Sequence, residues 1–579
     1  MRLAAQRGLL VTLAVALGFG SSLSRAFPAQ AQKPTGASSA QQSDSKPARP
    51  GLGPQTNPPK PDTPGAGATG ANSIDDTVAP LEGKVARIYA AIEDNYLAPV
   101  DPNRTLLDGA IRQALAALDP FSSFFDRDQF HQLQEQQRGQ SMGFGSILYV
   151  QPGKALVISA AQGSPSARAG LGPGDEIVAV NGTRLAGLDF QSMIALLEQS
   201  RSGPVRLSVI HPGRVVSDDL NLKPAEVEQP SVDKVFTLKT GVGYIHVTGF
   251  ETKTPQEVSA AIEKLESAAS PEDSAGPSKP RAQGSAAALH GLVLDLRDNH
   301  GGLVDSAIGV ASLFLPPGLS VLTIRGRAQP EQTARTADVP KPYYAYAGPL
   351  VVLVNGETAS AAEVLAAALE EHDRAVIAGE PTYGKGVVQH IMPLSDSMGM
   401  ALTTAQYFTP SGRSIQRPIP GTVLETMSSD NPRGSDFRTD DGRGLASGGG
   451  VTPDVEVPPR GNDSWLEFLE QHGAFTDFAT TYRSENAQVS RSFQPDNQTL
   501  SDFRDFLHRN NVSTPDQFWN ADQDYLKLRI RTELMNITYG LQLGDEVATQ
   551  ADPQVERSVE LLGRVDELLK KPVTRAQRQ

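Results

Sequence analysis

The sequence predicts a multidomain α/β chain: an N-terminal helical region, a small β-rich domain, an α/β core and a helical C-terminal region. Three observations predict it. At 579 residues the chain exceeds what one hydrophobic core can bury, and roughly two to four cores are expected. Apolar spacing changes from three and four residues near Leu81 to short runs between turns after Met142. From Ser231 to Pro459, strand-like runs then alternate with helical ones.

The elements follow in order. Arg2 and Arg7 precede a short apolar run, Gly8 to Gly20, and Ala29-Gln-Ala31 offers a small-x-small cleavage site. Residues 1–31 therefore read as an export signal, too short in its apolar part for a spanning helix of about 20 residues. An uncleaved N-terminal anchor is the alternative. Residues 32–77 are rich in Pro, Gly, Ser, Ala and Gln, the composition of a tether that cannot offset its own ordering entropy. Leu81, Val85, Ile88 and Ile92 begin a helical region, 78–140, whose second helix carries Leu106, Leu107, Ile111 and Leu115 and stops at Asp119-Pro120. Residues 141–225 hold short strands, the hairpin signal Asn181-Gly182 and one helix, Phe190 to Leu197.

The α/β core spans 231–460, with polar insertions near 267–283 and 428–450. Its expected strands are Gly243 to Thr248, Gly291 to Leu296, Leu350 to Val354 and Arg374 to Ala378. Residues 463–579 read as helical, and Val559, Leu561, Leu562, Val565 and Leu568 mark an amphipathic last helix, suited to docking on the core or on another subunit.

Composition excludes several functions. The net charge of −14 and the lack of a basic stripe argue against a nucleic-acid partner. Cysteine is absent, which removes disulfides, thiolate metal sites and a cysteine nucleophile. The nine histidines are scattered without metal-ligand spacing, so no metal site is expected.

Three segments at successive strand ends could carry chemistry. Asn355 to Glu363 runs from an apolar strand into a helix and places Ser360 near a helix N-terminus, where free N–H groups favour a developing oxyanion. The same residues also form a capping box, Ser360-Ala-Ala-Glu363. Gly379-Glu-Pro-Thr-Tyr-Gly-Lys-Gly386 is close to a phosphate loop, yet Gly386 stands where a magnesium-binding hydroxyl is needed. Lys385 is instead a base candidate, provided burial lowers its pKa. Asp295 to Gly302 ends in paired glycines that allow close backbone approach. His300 and Asp298 there also leave open a Ser–His–Asp triad with Ser360.

These motifs, in this order, resemble the carboxy-terminal processing proteases, the tail-specific family of Ser–Lys peptidases. Thr358-Ala-Ser-Ala-Ala-Glu363 is similar to the family's nucleophile motif, and Gly384-Lys-Gly386 with Gln389 to its base motif. Gly143-Phe-Gly145, Gly163-Ser-Pro165, Ala169-Gly170 and Gly174-Asp175 resemble its PDZ signature. Leu118-Asp-Pro-Phe-Ser-Ser123 resembles a segment in which histidine usually stands at the Phe121 position, and Val451-Thr-Pro-Asp454 the strand that closes the core.

The resemblance implies a crotonase-like α/β serine protease core following a PDZ domain. It implies Ser360 as nucleophile, Lys385 as general base, Gln389 as its positioning partner, and an oxyanion hole from Ala361 and Gly302 or Gly301. Gly143, Phe144, Gly145 and Ser146 would receive a substrate's terminal carboxylate, and Ile147 to Tyr149 would pair with the peptide as an added strand. The implied activity is cofactor-free peptide hydrolysis, outside the cytoplasm, on proteins or peptides with free C-termini. A homo-oligomer or an activating partner protein stays open, as does membrane contact through an uncleaved signal. The family's Arg-Gly pair after the PDZ helix is missing, since this chain reads Glu198-Gln-Ser-Arg-Ser202 there. A catalytically inactive PDZ scaffold is the competing expectation.

Overall fold

The computed structural model describes residues 74–570, apart from 152, 202, 240, 270–288, 328, 336–344, 396, 428–436, 447–448 and 487. The expected export signal, nearly all of the tether, most of the first polar insertion and about half of the second therefore lie outside the described residues.

The N-terminal region opens with helix Ile74–Asn95, which starts four residues before the expected start of the helical region. Its Leu81, Val85 and Ile88 are exposed. A π-helical segment, Asn103–Ile111, continues into helix Arg112–Ala116. Strand Ser123–Phe125 then leaves this region and pairs antiparallel with Met398–Phe408, more than two hundred and seventy positions later, with Phe124 opposite Met400.

The small β domain is a sheet ordered Ser146–Gln151, Lys154–Ala160, Glu176–Val180, Val205–Ile210 and Asp218–Leu222. Asn181 and Gly182 both have positive φ, 51° and 83°, and join Val180 to its partner Thr183 as the hairpin signal predicts. Strand alternation sorts two cores. Leu148, Val150, Ala155 and Val157 point into the domain with Met193 and Leu197 of helix Phe190–Ser200. Tyr149, Leu156 and Ile158 point the other way, into the C-terminal helices.

The α/β core is built on a six-stranded sheet. In spatial order it runs Val232–Lys239, Val242–Val247, Gly291–Asp295, Leu350–Val354, Val376–Gly379 and Val455–Glu456. All but the first pair are parallel. Every residue of Gly291–Asp295, Leu350–Val354 and Val376–Gly379 is buried, because both sheet faces are covered. Helices Thr254–Ala269, Val304–Phe314 and Ala361–Glu371 cover one face. Helices Pro553–Leu562 and Val565–Lys570 cover the other, through Val555, Leu561, Leu562, Val565 and Leu569. The amphipathic last segment thus docks on its own core. A second sheet, unforeseen from the sequence, joins Val387–Ser395, Met398–Phe408, Ser320–Gly326 and Gln329–Arg335 to the N-terminal strand.

The remaining C-terminal helices, from Ser464–Gln471 to Leu541–Gln550, surround an aromatic core of Trp465, Phe475, Phe478, Phe503 and Trp519. That core is continuous with Tyr149, Leu156 and Ile158 of the β domain. The C-terminal region therefore packs on both the β domain and the α/β core.

Candidate active site

Three loops meet at the carboxyl ends of the adjacent parallel strands Gly291–Asp295, Leu350–Val354 and Val376–Gly379. Ligands gather there in open α/β sheets. Each loop is tied to its neighbour by buried side chains. Asn299, fully buried, donates from Nδ2 to Val247 O (2.8 Å), accepts Gly301 N–H on Oδ1 (2.9 Å), and accepts Ala359 N–H on its carbonyl (2.9 Å). Thr358 Oγ1 donates to Leu296 O at 2.8 Å.

Ser360 immediately precedes helix Ala361–Glu371, at φ 56° and ψ −117°. A non-glycine residue rarely occupies that region, so the surrounding structure holds Ser360 under strain, as happens at functional sites. Ala361 opens the helix, and its N–H has no acceptor within the helix.

Glu363 organises the site. Its Oε2 accepts both Ser360 N–H (2.9 Å) and Lys385 N–H (2.8 Å), while Oε1 accepts Gly384 N–H (2.7 Å) and Thr382 Oγ1–H. One carboxylate oxygen thus holds the backbone nitrogens of Ser360 and Lys385 within ~6 Å of each other. Burial pushes the Glu363 pKa up, and the hydrogen bonds it accepts pull the other way. In the sequence Glu363 looked like one half of a capping box; it is also the link between two loops.

Lys385 is half-buried, and desolvation lowers its pKa from 10.5 to about 8 against the opposing pull of the Glu363 and Asp119 carboxylates. Its Nζ donates to Gln389 Oε1 at 2.7 Å and lies 4.7 Å from the centre of the Phe121 ring. Gln389 in turn donates from Nε2 to Phe121 O. Buried Asp119 shapes that turn by accepting the N–H groups of Phe121 and Ser122, both at 2.8 Å. The segment resembling the family's pre-PDZ motif therefore lies against the lysine.

Tyr407 was not foreseen from the sequence. Its phenol oxygen lies 2.8 Å from Ser360 Oγ, and the side chain is 3% exposed. The strand Met398–Phe408 buries Gly399, Ala401, Ala405 and Tyr407 in alternation, but that period shows only which face the tyrosine takes. Among the described residues Ser360 Oγ is hydrogen-bonded to Tyr407 and Lys385 Nζ to Gln389, rather than to each other.

The glycine pair divides its work. Gly301 has φ 97°, and a Cβ there would lie 2.9 Å from Ser360 Cβ and 3.0 Å from Ala361 N. Its N–H is taken by Asn299, so Gly301 is not the free donor that the resemblance allowed. Gly302 forms a parallel bridge with Phe250 through the flanking Gly301 O and Leu303 N, which turns its own N–H away from Phe250. His300 is 63% exposed and faces Glu357 at 3.8 Å, while Asp298 accepts from Asn355 Nδ2 at 2.8 Å. Neither is hydrogen-bonded to Ser360, and the triad alternative finds no support.

In the small β domain, Gly143 ends strand Gln140–Gly143 opposite Ala225, and Phe144 packs on the domain core. Gly145 has φ 72° and passes so close to Ser164 that a Cβ would lie 2.4 Å from Ser164 Cβ. Ser146 pairs with Ala160 in strand Ser146–Gln151, which forms the edge of its sheet. The side chains of Ile147 and Tyr149 pack among the C-terminal helices, and Tyr149 Oη donates to Gly473 O at 3.3 Å.

Comparison with known proteins agrees with this layout. The family model "Peptidase family S41" matches residues 241–423, and the family model "PDZ domain" matches residues 156–210. A carboxy-terminal-processing protease of Bartonella bacilliformis is 31% identical over 339 residues, covering 57% of this chain and 71% of that protein. The chain belongs to the carboxy-terminal processing proteases. It is accordingly a serine protease carrying a PDZ domain. Carboxy-terminal processing protease CtpA of Bacillus subtilis is likewise 31% identical, over 335 residues, with 58% of this chain and 66% of that protein covered. Among solved structures, a photosystem II D1 C-terminal processing protease is 26% identical and covers 66% of this chain and 89% of its own, at a TM-score of 0.33. The matched region 241–423 contains Ser360, Lys385, Gln389 and Tyr407.

Proposed function

We propose that the protein is an exported endopeptidase that cleaves peptide bonds with a Ser360–Lys385 dyad and recognises substrate C-termini through its PDZ domain. The observation that carries the dyad is the shared Glu363 carboxylate, which binds the backbones of both residues beside a lysine depressed to about pH 8. Neutral Lys385 takes the Ser360 hydroxyl proton as Oγ attacks the carbonyl carbon. The resulting oxyanion receives the N–H groups of Ala361 and Gly302. Lysine then returns the proton to the departing amine, and water hydrolyses the acyl-enzyme by the same route. The Lys385 side chain must first swing from Gln389 to Ser360, so the hydrogen bond to Gln389 marks a resting position.

Substrate binding is proposed on the outer edge of Ser146–Gln151, where main-chain pairing needs no side chain from Ile147 or Tyr149. The Gly143 to Ser146 loop would receive the terminal carboxylate. Export rests on residues 1–31; among the described residues no helix is long and apolar enough to cross a membrane.

The test is degradation of an unfolded protein by the purified chain beside Ser360→Ala and Lys385→Met. Both variants should be folded and inactive; turnover retained by either would overturn the dyad. Peptides with free and amidated C-termini should differ in KM, and equal values would remove the proposed carboxylate role.

A further inference from the structure

The Tyr407 hydroxyl lies 2.8 Å from the nucleophile's oxygen, and its strand belongs to the second sheet, beside the strand that carries Gln389, rather than to the three strand-end loops. Its ring is buried in the main core cluster with Val364, Leu322 and Ile415. Its hydroxyl has one hydrogen-bond partner among the described residues, Ser360 Oγ. Two arrangements of that bond exist. If Ser360 donated to the phenol, the phenol's own proton would be left buried without an acceptor, a state that folded proteins avoid. With Tyr407 donating, the buried phenol proton has an acceptor, and the proton of half-buried Ser360 is left free for water or a base.

Resting on the dyad reading, we propose that Tyr407 is a catalytic residue that donates a hydrogen bond to Ser360 Oγ, aiming its proton at Lys385 and stabilising charge on that oxygen. The bookkeeping is simple. As Oγ bonds to the substrate carbon, its proton passes to Lys385 Nζ, while Tyr407 keeps its own proton throughout. Burial supports this by holding the phenol well above its ordinary pKa. A hydrogen bond to an oxygen bearing negative charge is stronger than one to a neutral hydroxyl, so the contact gains strength as the serine proton leaves. It gains again in deacylation, when the ester Oγ departs as the leaving group. Such an interaction acts on kcat, while substrate affinity is set elsewhere.

The test is Tyr407→Phe in the full chain, which keeps the ring in its core position and removes only the hydroxyl. Expected are a fall in kcat of roughly 10- to 100-fold, KM within about twofold, and an unchanged melting temperature. Labelling of Ser360 by a fluorophosphonate probe should slow in parallel, and the low-pH limb of the rate profile should keep its midpoint, since Lys385 is untouched. A Phe variant with wild-type kcat and labelling rate would show a merely structural tyrosine and overturn the proposal. A faster variant would make Tyr407 a brake and overturn it equally. Activity surviving in Ser360→Ala would instead remove the dyad reading itself; an inactive Ser360→Ala beside an unimpaired Tyr407→Phe would sink only this inference.

Discussion

If Lys385 is the base, pH is the perturbation that reads it most directly. Only neutral lysine can accept the Ser360 proton, and desolvation lowers its pKa from 10.5 to about 8. At pH 7 roughly 10% of the enzyme then carries a usable base, against roughly 0.03% for an unshifted lysine, so burial raises the available base about 300-fold, a gain that the weaker basicity of the shifted lysine partly offsets. The fraction drops to ~1% at pH 6 and rises to ~90% at pH 9. The assay is kcat/KM on an unfolded protein, with single-turnover acylation to isolate the chemical step. Rates should rise about tenfold from pH 6 to pH 7 and level off above pH 8 to 9. Stability moves the same way. The unfolded chain binds more protons at this residue than the folded one between about pH 8 and 10.5, so stability rises with pH through that window. The gain is at most ~3 kcal/mol, reduced by the partial exposure of the side chain, and it should vanish in Lys385→Met. An acylation rate flat within twofold from pH 6 to pH 9 would refute the reasoning.

Other consequences follow from neighbouring contacts. Phe121→Leu keeps an apolar cover over Lys385 but removes the ring 4.7 Å from its ammonium; losing about 1 kcal/mol of cation–π support should move the rate midpoint down by ~0.5 to 1 pH unit. Gly302→Ala would bring a Cβ to 2.3 Å from Phe250 O at φ 142°, so strand-end geometry should distort and activity fall by about 100-fold or more, measured beside circular dichroism. Gly473→Ala would drive a methyl to 1.7 Å from Tyr149 Oη and loosen the C-terminal helices from the PDZ domain. A loss of about 1 to 3 kcal/mol is expected by denaturant unfolding, with partial rescue by Tyr149→Phe, and no rescue would place the strain elsewhere.

Much of the architecture was legible because its signals are local. Leu350 to Val354 reads as a continuous apolar run since both faces of that strand are covered, and Asn181-Gly182 reads as a hairpin since both residues accept positive φ. The family, the serine-protease class and the multidomain α/β plan were all within reach of such signals, together with motif order. The second sheet was not. Ser123–Phe125 and Met398–Phe408 are ordinary half-buried strands whose pairing depends on topology rather than on either segment.

At the site the boundary falls in the same place. Residues Ser360, Lys385, Gln389 and the glycine pair stand out in sequence because each lies in a short motif at a strand end. The sequence by itself could not show that Gly301 spends its N–H on Asn299, or that Glu363 binds two loops at once. Nor could it show that Tyr407, 47 residues beyond Ser360, reaches its hydroxyl. It likewise left the amphipathic last helix between two docking partners, and the fold alone brought Leu561 and Leu562 onto the sheet below the active site. Local sequence determines conformation through propensity and period; which buried donor meets which acceptor is decided only when packing closes the chain, because a leftover polar group in the core is too costly to persist.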